Sequence, residues 1–276
     1  TTHRDQFKAW GKLASHVMWR PNTGSPAGWQ QGLPDVSIAQ TIKDFKFAAE
    51  NHCIGIFIDG VWEHWATQGP QYYVMAQLIW DPSQDGQKIL EDYYQRAFGP
   101  AAADVKAYFE AIETARMAYV AEHGYESGAF NLPNLFTKQL LEQSAKRLQK
   151  AADKAAGGPE IYRRRVAFVR AGLTYTELVI ANINAMKSYW RKQDETLAKQ
   201  VRSNWEVMER LCEEHPYAIN WGPVRPSGRG RPGSKVAFCR ATFDASAALV
   251  PPRRVGHVAS LSRGPPTAAD CGPPRA

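Results

Sequence analysis

Asp59, Glu63 and His64 lie in one short run, Asp59-Gly60-Val61-Trp62-Glu63-His64-Trp65, with two tryptophans set among them. Two carboxylates can act on a glycosidic bond, one as acid and one as base or nucleophile. An imidazole can exchange a proton near neutral pH, and an indole offers a flat apolar surface to the axial hydrogens of a sugar. Asp59 and Glu63 are therefore the candidate catalytic acids, and Asp59, Trp62, His64 and Trp65 the candidate substrate contacts. Each has a plainer reading. Asp59 can cap the amides of its own loop, His64 can be a hydrogen-bonded surface group, and the tryptophans can wedge helices apart. Four residues of loop do not fix the separation of the two carboxylates.

Arg20 and Asn22 form a second candidate pair, just past the short apolar run His16-Val17-Met18-Trp19. A guanidinium there could hold a uronate carboxylate in a two-pronged contact. The alternative is an arginine paired to a neighbouring acid. Tyr72, Tyr73, Tyr93 and Tyr94 fall at core spacing and are assigned to the interior. The chain has no Gly-rich phosphate loop, His-x-Glu metal signature or nucleophile elbow, so neither a nucleotide cofactor nor a metal is expected.

The elements that must position these residues come from periodicity. Residues 4–14 have helical spacing, 16–20 read as a buried strand, 22–35 as a Gly- and Pro-rich loop, and 36–51 as a helix through Ile38, Ile42 and Phe45. Ile54-Gly55-Ile56-Phe57-Ile58 is apolar without alternation, the pattern of a parallel strand covered on both faces. Asp59 would then sit at that strand's C-terminal end. Strand, helix, strand in this order is the repeat of a β/α barrel or a doubly wound sheet.

From Pro70 onward every segment reads as helix. Pro70 suits a first turn, and Asp81-Pro82 ends that helix. Residues 84–98 carry an apolar stripe, Gly99 a C-cap and Pro100 the next start. Further helices follow over about 134–156, 159–192 and 194–214. The expectation is mostly α: an antiparallel helical bundle over 70–222, following the last βα units of a barrel over 1–69.

Composition divides the chain again near Gly222. The formal charge of +7 lies entirely in residues 223–276, which hold nine Lys and Arg against two acids and half of the 18 prolines. Such a segment cannot bury enough surface to offset chain entropy and is expected to be disordered. A high-GC gene read out of frame gives the same composition. With only Phe238 and Phe243 as stacking aromatics, nucleic acid is not an expected partner. Cys53, Cys212, Cys239 and Cys271 are too scattered for a zinc ribbon or a disulfide framework. Thr1-Thr2-His3 shows no initiator Met and no apolar signal core, and no continuous apolar run of membrane length occurs. The natural N-terminus is expected upstream of Thr1; no membrane segment is expected and the compartment is left open.

The run IGIFIDG, the loop ending WATQGPQYYVMAQLIWDP and the stretch ILEDYYQRAFGPAAADVKAYFEAIE resemble the end of the large bacterial family called domain of unknown function 4838. The likeness covers about residues 4–215; its most specific parts are Trp80-Asp81-Pro82 and the junction from Tyr93-Tyr94 to Gly99-Pro100. It implies a glycoside-hydrolase-like β/α barrel followed by a helical region, in a secreted or periplasmic protein of polysaccharide breakdown. Only two of eight barrel strands are legible, so the resemblance implies a C-terminal piece, inactive alone, that contributes part of a sugar pocket. A non-catalytic helical scaffold or protein-interaction domain is the competing expectation.

Overall fold

Thr2 caps the first helix, α1 (His3–Leu13), through a reciprocal pair: its hydroxyl accepts from the Asp5 N–H while the Asp5 carboxylate accepts from the Thr2 N–H at 3.0 Å. The computed structural model describes residues 2–21, 32–58, 64–124 and 129–219. After α1 come β1 (Val17–Trp19), α2 (Ile38–Ala49) and β2 (Cys53–Ile56). The strands pair in parallel, Val17 opposite Cys53 and Trp19 opposite Ile56, with an irregularity after Val17. Residues 17–56 are thus a β-α-β unit, and α2 covers the sheet where the Trp19 ring meets Phe45 edge-on at 5.5 Å. The opposite face is open. Met18 and Ile54 are each 64% exposed and Phe57 is 58% exposed, so this strand pair is not covered on both sides as its apolar pattern predicts. Among the described residues no third strand or second layer lies there to cover them.

The helices that follow are α3 (Trp65–Trp80), α4 (Gly86–Phe98), α5 (Ala102–His123), α6 (Leu132–Leu135), α7 (Lys138–Ala156), α8 (Glu160–Lys192) and α9 (Glu195–Glu214). The protein is mostly helical, with one two-stranded sheet among the described residues. Local chemistry sets most boundaries. The Asp85 carboxylate accepts from Gln87 and Lys88 at the start of α4, and Gly99 ends it at φ +50°. The Asp194 carboxylate opens α9 by accepting from the Thr196 N–H at 2.9 Å. The segment read as one helix over 134–156 is two, because the Thr137 hydroxyl accepts from the Leu140 N–H and starts α7 afresh.

α3 departs furthest from expectation, beginning five residues before Pro70. Its first N–H groups find distant acceptors: Trp65 donates to the Tyr217 carbonyl at 3.3 Å and Ala66 to the Ala218 carbonyl at 3.1 Å. Pro70 consequently falls inside the helix and removes the donor that would answer the carbonyl of Ala66. No local sequence signal could reveal a cap supplied from beyond α9.

α7 and α8 are joined by a three-residue turn, α8 and α9 by two residues, and in each case the neighbours pack together as a helical hairpin. α5 lies on α7, and α3 and α4 lie on α8. The interior runs through Tyr94, Tyr108 and Phe109 to Leu148, Leu173 and Tyr175. α8 contains an 18-residue window of mean hydropathy 1.3, long and apolar enough to cross a membrane by length and composition alone. Of that window 61% is buried inside the protein, and a mostly buried core helix meets the same criterion of length and composition. Scanning for continuous apolar runs misses α8 because Thr174, Thr176, Glu177 and Asn182 interrupt it. The tail, with Cys239, Cys271, Phe238 and Phe243, lies outside the described residues.

A candidate functional site walled by aromatic rings

Trp65 is the first residue of α3, and its ring is 41% exposed. One edge packs against Tyr72, ring centroids 5.2 Å apart at 82°. The rest helps to wall a cavity of about 380 Å3 between the start of α3, the end of α4 and α8. Tyr73 from α3, Tyr93 from α4 and Phe168 from α8 supply further ring surface, and Arg96 and Arg165 stand at the rim. Among the described residues no carboxylate belongs to this lining. A second cavity, of about 670 Å3 between α2 and the turn from α3 to α4, has Lys46, Glu50 and Asp85 in its wall but no aromatic ring.

Helix geometry explains why adjacent tyrosines part company. Neighbouring residues on a helix point about 100° apart, so Tyr72 and Tyr94 enter the core while Tyr73 and Tyr93 keep a face to the cavity. Those two rings lie 5.2 Å apart. The Tyr93 hydroxyl reaches the backbone of Gly69 so closely that a Cβ there would lie 2.7 Å from it. Burial holds the Tyr93 phenol well above its usual pKa, with the nearby Arg165 charge acting weakly the other way, so it stays a neutral hydroxyl.

Both arginines are oriented from behind. Arg165 donates from Nη1 to the carbonyls of Arg96 and Ala97, at 3.1 and 3.2 Å, and so closes the C-terminal turn of α4. Arg96 donates from Nε to Asp92 at 2.6 Å. Each guanidinium thereby keeps one Nη group, or more, turned to solvent. Such a cavity can stack a ring-shaped ligand and present cationic donors at its edge.

The residues selected from sequence are only partly united here. Trp65 belongs to the cavity. His64, the residue before α3, is 2% exposed, and burial drives its imidazole down to a pKa of about 4, so it is neutral at physiological pH. It is neither a surface group nor part of this cavity's wall. Arg20 follows β1 and is exposed, away from the lining. Asn22, Asp59, Trp62 and Glu63 lie outside the described residues. Sequence reasoning passed over Arg96, Arg165 and Phe168, although each arginine has an aromatic three residues away on its own helix, Tyr93 and Phe168. That spacing puts ring and charge on one face.

A buried pair of opposite charges lies elsewhere. Asp35, in the loop before α2, accepts from Arg116 of α5; their side chains are 2% and 11% exposed. Burial pushes the Asp35 carboxyl up and the guanidinium beside it pulls it down. Next to it, Glu113 accepts from the Ala39 N–H at 2.8 Å and Gln71 accepts from the Ser37 N–H at 2.7 Å. These three contacts pin the N-terminus of α2 to α3 and α5, a structural task that uses up their chemistry. Among the described residues no group of three or more His, Cys, Asp or Glu side chains could hold a metal ion.

The geometry defines a mostly helical protein whose first part is a parallel β-α-β unit packed on helices. Residues 1–111, from α1 into α5, match the model of a family described as Domain of unknown function (DUF4838). No curated protein and no solved structure matches the chain.

Proposed function

We propose that this chain is the sugar-contacting and supporting part of a carbohydrate-active, glycoside-hydrolase-like protein. In this reading residues 1–69 are the end of a β/α barrel and residues 70–222 an antiparallel bundle behind it. The observation that carries it is Trp65, half exposed at the junction and continued by Tyr73, Tyr93 and Phe168 into one ring-lined cavity. Among the described residues no carboxylate lines that cavity, and this reading assigns it to holding a sugar rather than cleaving one. Catalysis would need acids elsewhere in the full-length protein, Asp59 and Glu63 among the candidates.

The competing reading is a non-catalytic scaffold, favoured by the burial of His64 and by the Tyr217–Ala218 segment clamped on the start of α3. An oligosaccharide array separates the two. The carbohydrate reading expects the full chain to retain a subset of glycans, and Trp65→Ala, folded by circular dichroism, to lose about tenfold in affinity. Retention of no glycan by the wild-type chain would favour the scaffold.

A further inference from the structure

Aromatic walls alone would suit a neutral sugar, but the rim of this cavity is not neutral. Arg96 and Arg165 come from different helices and meet at the same mouth, on either side of the carbonyls that Arg165 caps. Arg96 shares its charge with Asp92, whereas Arg165 makes no ion pair among the described residues. Its two hydrogen bonds both leave from Nη1, to backbone carbonyls, so the Nε–H and the Nη2 protons remain available in a plane that those bonds fix. Among the described residues no carboxylate in the lining opposes them. A guanidinium held in place, with two donors free, matches a carboxylate in spacing and charge.

The rings set the rest of the ligand. Tyr73, Tyr93 and Phe168 offer faces of the size of a six-membered ring, and about 380 Å3 admits one or two such rings. We propose that this cavity binds a hexuronate unit, its ring laid against the aromatic wall and its carboxylate held by Arg165 with Arg96. This deepens the carbohydrate reading and rests on it. Arg165 is in part a helix cap, so its role as a ligand contact must be separable from its role in stability. Lysine at 165 keeps the charge but loses the planar fork, while glutamine keeps a donor for the α4 carbonyls and loses the charge.

The test is isothermal titration calorimetry on the full chain with trigalacturonate, with neutral trigalactose and with benzoate, at low and high salt. The expected result is binding of trigalacturonate at least about tenfold tighter than of the neutral trisaccharide, weakened by salt. Arg96→Gln and Arg165→Gln should each lose about tenfold for the acidic sugar, a larger loss than for the neutral trisaccharide; Arg165→Lys should recover part of it. Equal affinity for both trisaccharides, indifferent to the arginines, would overturn the hexuronate assignment and leave the carbohydrate reading standing. Benzoate binding with no response to either sugar would overturn both, marking a site for aromatic acids. No heat from any of the three would also overturn both. Melting curves for each variant separate loss of the α4 cap from loss of the ligand.

Discussion

The Ala66 N–H donates to the Ala218 carbonyl at 3.1 Å, joining the first turn of α3 to the segment beyond α9. Helix starts leave N–H groups that need acceptors, and here the far end of the described chain provides them. The clamp is held by packing: Ala218 and Ile219 are each 1% exposed. Ile219→Ala should lower unfolding free energy by about 3 kcal/mol in urea denaturation. It should also deprotect the Trp65 and Ala66 amides in hydrogen exchange, whereas unchanged protection would mean that α3 starts without the clamp.

Gly172 of α8 lies against the same turn. A Cβ there would come within 2.8 Å of Thr67 Cγ2 and 2.9 Å of Ala66 Cβ. In an open helix Gly→Ala stabilises by about 1 kcal/mol, yet Gly172→Ala should destabilise by about 1–3 kcal/mol because the two helices must move apart. Gly157, after α7, has nothing within 4 Å and an ordinary φ of −84°, so Gly157→Ala should be neutral or slightly stabilising. Thermal melts of the pair check the contrast in sign.

This part of the fold was poorly legible in the sequence for a definite reason. Caps made by Thr2, Asp85 and Asp194 act within three residues, and the helices they start were readable. Trp65 and Ala66 are capped from beyond α9, so Pro70 looked like the helix start. Ile54 and Phe57 misled in the other direction: their apolar run forecasts a covered strand, but covering depends on neighbours that periodicity cannot supply. In the candidate site, Trp65 was legible only as either a sugar contact or a packing wedge, while the arginines at the rim surface only once α4 and α8 are packed side by side.

His64 makes stability depend on pH. Its folded-state pKa is about 4 against 6.5 for a free imidazole, so between those values the unfolded chain binds more protons. The contribution is complete above about pH 6.5 and is lost as pH falls towards 4, a span worth about 3 kcal/mol. Urea denaturation at pH 7.5 and 4.5 should show His64→Gln losing markedly less stability on acidification than wild type. Equal losses would place the imidazole in water.

Arg116→Met should lower stability by about 3–5 kcal/mol, since Asp35 is left buried without its guanidinium. Asp35→Asn combined with Arg116→Met should regain most of that loss, because neither charge then remains inside. A double variant no better than Arg116→Met would show that packing of the arginine stem, not charge, is what matters.

The central claim is that the ring of Trp65 touches a sugar. Two-dimensional 15N NMR of the full chain, titrated with acidic and neutral oligosaccharides, tests it most directly through the indole N–H signals. Trp65, assigned by the signal missing in Trp65→Phe, should shift progressively and saturate. Trp205, buried on α9, should hold still. A Trp65 signal unmoved by every oligosaccharide, or one that moves only together with Trp205, would contradict the account.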